Sequence, residues 1–157
     1  MSDGIIAAGT HVPDFTLATA DGEGFTQADL QGKTTVLVFY PFAFSSVCTD
    51  QMQVYEEALG ELTALNATLY GVSTDATDSQ QAFKEKLGVS IEQLSDFEPK
   101  GATARKFGAY FEPGGMTNRA LVIVGSDGVV TWSHLAANPG KMPGVNLIFD
   151  GLAATAA

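Results

Sequence analysis

The sequence predicts an α/β fold, a mixed central β-sheet carrying helices on both faces, and three observations lead there. The runs Thr34-Thr35-Val36-Leu37-Val38-Phe39-Tyr40 and Thr68-Leu69-Tyr70-Gly71-Val72-Ser73 are rich in β-branched and aromatic residues. After each run, apolar residues recur at helical steps of three and four. Farther on, Ala120-Leu121-Val122-Ile123-Val124 and Val129-Val130-Thr131-Trp132 flank the turn Ser126-Asp127-Gly128, the pattern of a hairpin. Strands alternating with helices form parallel pairs, and the hairpin adds an antiparallel one.

Each element has its own signal. Val12-Pro13-Asp14-Phe15-Thr16-Leu17 alternates loosely and is followed by Asp21-Gly22, which predicts an N-terminal β-hairpin extension. The first long run turns continuously apolar and stops at Pro41, as expected of a central strand covered on both faces. Beyond Cys48, the residues Met52, Tyr55, Leu59 and Leu62 place one stripe on a helix reaching about residue 65. Thr77-Asp78-Ser79-Gln80 has the spacing of a capping box opening a second helix, with Phe83 and Leu87 inward. A short helix is expected over residues 102–107, then a loop rich in Gly and Pro. Leu147, Ile148 and Leu152 predict a closing helix after Pro143 and Gly144.

Composition bounds the function. A chain of 157 residues with 45% hydrophobic content can bury a core without disulfide or metal staples, and no repeat or linker divides it, so one domain over residues 1–157 is expected. Eight basic against eighteen acidic residues give a formal charge of −10, which repels nucleic acid and anionic lipid. No apolar stretch is long enough to span a membrane and no secretory start is evident, so a cytoplasmic location is expected. One cysteine and two distant histidines match no zinc spacing; neither metal nor cofactor is implied. Asn66-Ala67-Thr68 matches a glycosylation sequon, which without a secretory signal reads as chance.

Cys48 carries the chemical signal. A lone cysteine is most often a small buried hydrophobe. This one falls in the first turn of a predicted helix, just past the end of a central strand, where ligand sites of α/β sheets gather. Unpaired N–H groups and the positive end of the helix dipole favour thiolate over thiol there. Displacement on a peroxide by that thiolate needs positive charge and hydrogen-bond donors around two adjacent oxygens.

The segment Pro41-Phe42-Ala43-Phe44-Ser45-Ser46-Val47-Cys48 resembles the peroxiredoxin signature, in which Pro, then Thr or Ser, then Cys stand at offsets of four and three. Ser45 replaces the Thr and keeps its hydroxyl; Gln51 stands where Glu or Gln is common. Val12-Pro13-Asp14-Phe15, Leu94-Ser95-Asp96 and Asn118-Arg119-Ala120-Leu121-Val122-Ile123 resemble the family's N-terminal segment, the loop after its second helix and the strand carrying its second-site arginine. Residues 94–102 and the single cysteine are most similar to the AhpE-like one-cysteine group, with the bacterioferritin-comigratory (Prx Q) group the nearest rival.

The resemblance implies a thioredoxin-like fold and thiol peroxidase activity. It implies Cys48 as nucleophile, Arg119 as the group that holds the thiolate and polarises peroxide, Ser45 as a hydroxyl contact and Pro41 as a shield of the sulfur. Ser45 also has the residue type of a helix cap, and Pro41 that of a strand terminator. Gln51 reads as an exposed helix residue outside the catalytic set. The substrate is then a hydroperoxide, and with Gln53 where the rival group can carry a resolving cysteine, Cys48 sulfenic acid needs an external thiol: a low-molecular-weight thiol, a glutaredoxin-like protein or thioredoxin. A homodimer is expected. Two other readings compete: a Cys-His enzyme using His11 or His134, and a thioredoxin-fold binding or chaperone module whose cysteine is incidental.

Overall fold

Successive residues of a strand face opposite ways, so one central strand feeds two cores. The structure, a computed structural model, describes residues 4–155. In β3 (Thr34–Phe39) the side chains of Val36 and Val38, with Tyr40 beyond, join Cys48, Met52, Tyr55, Leu62, Phe83, Ile148 and Leu152 on one face. Leu37 and Phe39 join Phe15, Leu17, Phe25, Leu30 and Phe107 on the other. Both faces are covered, as the continuous apolar run requires.

The remaining strands and helices are placed around β3. The N-terminal hairpin pairs β1 (Thr16–Leu17) with β2 (Phe25–Thr26). After β3 come α1 (Ser46–Glu57), α2 (Leu59–Ala64), β4 (Ala67–Ser73), α3 (Thr77–Leu87), β5 (Glu92–Ser95) and α4 (Ala102–Phe107). A small hairpin, β6 (Tyr110–Phe111) with β7 (Met116–Thr117), leads to β8 (Ala120–Val124), β9 (Val130–Leu135) and α5 (Val145–Thr155). The main sheet has the order β5-β4-β3-β8-β9, parallel across β3, β4 and β5 and antiparallel across β8 and β9. This is the expected mixed sheet, with β3 at its centre.

Both parallel crossovers move the same way across the sheet, and right-handed crossovers of that kind lay their helices on one face. Accordingly α1, α2 and α3 share the Cys48 face with α5, while α4 and the N-terminal hairpin cover the other. No helix of the described residues is long and apolar enough to cross a membrane.

Three expectations change. The single helix to residue 65 is two, broken at Ala58 (φ −91°, ψ −1°), whose N–H donates to the carbonyls of Tyr55 and Glu56. The capping box at Thr77 is absent: Ala76 is the N-cap, without a side-chain bond. Gln80 is buried, and its amide donates to Ser73 Oγ (2.9 Å) and the Leu94 carbonyl (2.8 Å), bonds that tie α3 to the sheet and turn the side chain inward, away from the helix start. Residues 94–95, expected in a loop, end β5. Gln93 in that strand is buried by bonding to Tyr40 and Ile91, which hides a core strand behind a polar letter.

Candidate active site

Strand register brings the site together. Phe39, the last residue of β3, pairs with Val72 of β4 on one side and with Ala120, the first residue of β8, on the other. Just beyond these partners stand Tyr40, Ser73 and Arg119. The loop from β3 into α1 therefore leaves the sheet between the end of β4 and the start of β8.

At the head of α1 the backbone is capped as the residue types predict. Ser45 is the N-cap, extended at φ −66°, ψ 151°, and its Oγ accepts the Cys48 N–H at 3.3 Å. Cys48 is the third residue of the helix and is 0% exposed, and Pro41 is buried at the strand end. Phe44, just before the cap, holds a left-handed φ of 70°, a strained conformation for a bulky residue. Its exposed ring leans edge-on against Phe83, 5.3 Å between centroids. The loop is pinned from the β4 side by Asp75, whose Oδ2 accepts the Ala43 N–H (2.7 Å) and the Ser73 hydroxyl (2.7 Å).

Arg119 enters from the opposite side. It is 2% exposed, its backbone is tied by the Ala136 N–H donating to its carbonyl (2.9 Å), and its own N–H donates to Asn118 Oδ1 (2.8 Å). The guanidinium donates through Nε to the Pro139 carbonyl (2.6 Å) and through Nη1 to Gln51 Oε1 (2.8 Å). Gln51 is one turn after Cys48 on α1, so the arginine reaches the helix that carries the thiol. Both partners are neutral. Among the described residues no carboxylate forms an ion pair with Arg119, in a chain with eighteen of them. A buried cation without a counter-ion is costly, and such groups mark places where charge is put to use.

The reading of Gln51 as an exposed helix residue is corrected: it is 0% exposed. Its Nε2 donates to the Tyr55 hydroxyl (3.2 Å), which donates in turn to the Pro143 carbonyl (2.6 Å). Asp75 was also outside the expected set, although Ser73-Thr74-Asp75 closes a strand at its carboxyl end, where such sites collect. The histidines are arranged differently. His134 stacks on Trp132 in the edge strand β9, separated from β3 by β8, and exposed His11 bridges to Val129 at the turn end of the hairpin, away from Arg119.

Residues 8–133 match the AhpC/TSA family. This chain is a peroxiredoxin of that family. It is 27% identical over 154 residues to alkyl hydroperoxide reductase E of Mycobacterium tuberculosis, covering 98% of this chain and 100% of that one. To alkyl hydroperoxide reductase C of Amphibacillus xylanus it is 34% identical over 128 residues, 78% of this chain and 68% of the relative. The crystal structure of Enterococcus faecalis AhpC superposes with a TM-score of 0.84 at 29% identity, over 95% of this chain and 92% of that one. The peroxiredoxin is a thiol-dependent peroxidase of thioredoxin-like fold, with one cysteine in its 157 residues; membership sets aside the binding module with an incidental cysteine. Hydroperoxide is its substrate class and a thiol its reductant class.

Proposed function

We propose that Cys48 is the peroxidatic nucleophile and that Arg119 supplies the charge for the displacement. The observation that carries this is the buried guanidinium whose partners are all neutral. Cys48 thiolate attacks one peroxide oxygen; an S–O bond forms, the O–O bond breaks, and the departing oxygen takes a proton to leave as water or alcohol. Sulfur is oxidised by two electrons as the peroxide is reduced. Arg119 attracts the thiolate before the step and the growing oxyanion during it, an interaction strengthened by burial. Ser45 orders the helix end and presents its hydroxyl to the peroxide, and Pro41 excludes water from the sulfur. Since Cys48 is fully buried, hydroperoxide enters when the 41–45 loop shifts.

Cys48 sulfenic acid then condenses with an external thiol, releasing water, and a second thiol restores Cys48 from the mixed disulfide. A low-molecular-weight thiol, a glutaredoxin-like protein and thioredoxin each satisfy this chemistry, and the functional unit is a homodimer in the cytoplasm. Intact mass under non-reducing conditions tests the cycle. Peroxide without reductant should add one oxygen to Cys48, then two and three, and added small thiol should divert the first product into a mixed disulfide. A covalent dimer as the first product would overturn it.

A further inference from the structure

Half a turn of the Gln51 side-chain amide exchanges an acceptor for two donors with almost no change of shape, so packing alone does not choose which end meets Arg119. Hydrogen bonding does. The Pro143 carbonyl can only accept, so the Tyr55 hydroxyl proton is committed to it at 2.6 Å. Only lone pairs of that oxygen remain for Gln51, which must present Nε2 to them, at 3.2 Å, and therefore Oε1 to Arg119 Nη1, at 2.8 Å. Resting on the reading of Arg119 above, we propose that Tyr55 is a positioning residue for peroxide reduction, fixing the Gln51 amide in the orientation that holds the guanidinium.

The alternative orientation is costly. It would aim an NH2 group at a buried guanidinium, donor against donor, and deprive Nη1 of its acceptor. Tyr55 is itself buried, and burial pushes its phenol up to about 12, opposed by Gln51 and by the charge of Arg119. The hydroxyl thus keeps the proton it donates throughout the neutral range. The same short segment closes the arrangement, because Pro139 accepts from Arg119 Nε and Pro143 from Tyr55. Segment, arginine and helix α1 form one hydrogen-bonded ring.

A carboxylate at position 51 has no amide to turn, so a Gln51→Glu background supplies the test, its own starting rate being lower because the carboxylate gives Arg119 a counter-ion. Single-turnover oxidation of Cys48 by hydrogen peroxide is measured for Tyr55→Phe in the parent protein and in Gln51→Glu, with alkylation by iodoacetamide as a reaction that needs no polarised oxygen. In the parent, Tyr55→Phe should slow oxidation about tenfold or more while alkylation stays within about twofold. In Gln51→Glu the same change should alter oxidation by less than about twofold. Equal losses in both backgrounds, a parallel fall in alkylation, or no loss in the parent would each overturn the proposal. Arg119→Lys, measured alongside, separates the levels: normal oxidation there defeats the reading of Arg119, whereas a loss there with none in Tyr55→Phe defeats only the role of Tyr55. If Tyr55→Phe does not fold, the parent is decisive by NMR. A nuclear Overhauser contact between the Tyr55 hydroxyl proton and the Gln51 Nε2 protons is expected, and its absence overturns the proposal.

Discussion

Two ionisable side chains flank the loop that leads into α1, and the fold treats them in opposite ways. On the β4 side, the Asp75 carboxylate is surrounded by donors, the Ala43 N–H and the Ser73 hydroxyl, and Ser73 is in turn supported by Gln80. On the β8 side, Arg119 is given only the neutral acceptors Gln51 and Pro139. Both side chains are held by hydrogen bonds, but charge is answered differently. A carboxylate that receives N–H and O–H groups is at rest and serves to hold backbone. A guanidinium that receives carbonyl oxygens has its geometry fixed and its net charge left over, so it retains its pull on an incoming anion.

The contrast breaks most readily at Arg119. Arg119→Lys keeps the charge but lacks the planar fork that reaches Pro139 and Gln51 together. Its second-order oxidation by hydrogen peroxide should fall by about 10² or more, the scale of losing one preorganised donor. Stopped-flow mixing reads this, and a rate near that of the parent would place Arg119 among the residues that merely hold the fold.

On the other flank the loss should appear in stability first. Asp75→Ala leaves the Ala43 N–H and the Ser73 hydroxyl without their acceptor, a cost of about 1–3 kcal/mol in denaturant unfolding. Hydrogen exchange at Ala43 should quicken while the oxidation rate falls far less than in Arg119→Lys. A larger kinetic effect at Asp75 than at Arg119 would erase the distinction.

Ser45 lies between the two flanks. Ser45→Ala should cost about 0.5–2 kcal/mol by removing the cap on the Cys48 N–H and should also slow oxidation, whereas Ser45→Thr should preserve both. Lost stability with unchanged peroxide reactivity would assign the hydroxyl to the cap alone.

The smallest effect concerns Asp96, a carboxylate deeper than Asp75, which accepts the Thr103 N–H (3.0 Å) and the Ala104 N–H (2.8 Å). Burial raises its pKa above the ordinary 3.8, against the pull of those donors and of Arg105. Because the folded-state value is raised, the stability tied to this proton is fully present below the unfolded value and is lost as pH rises through the folded one. Asp96→Asn should flatten the stability profile in that acid window. An unchanged slope would show that donors can neutralise the cost of burying a carboxylate completely, and the account of Asp75 would be sharpened accordingly.

What the sequence made legible follows from how local each signal is. The central place of β3 was readable because both of its faces are apolar, and Cys48, Ser45, Pro41 and Arg119 stood out as candidates because their residue types stand in a known order. The burial of Gln51, the place of Asp75 and the hydrogen bonds of Tyr55, whose inward face was legible from the apolar stripe, were not, because the partners that set them lie far along the chain. Arg119 is 68 residues from Gln51, Pro143 is 88 from Tyr55, and Ala43 is 32 from Asp75. Strand β5 and the cap of α3 were misread for a related reason. Gln93 and Gln80 look like surface letters until tertiary bonds to Tyr40, Ser73 and Leu94 claim their amides.

With Cys48 as the nucleophile we propose, its complete burial makes the site a size filter in time as well as in space. A hydroperoxide presents two oxygens at its reactive end and needs a brief, narrow breach in the 41–45 loop. A reducing thiol must bring its sulfur into line with the sulfenic acid, and one carried on another protein needs the head of α1 laid open. The two halves of turnover therefore draw on openings of different width and rarity. In that proposed cycle, plentiful peroxide leaves the wider opening to set the pace.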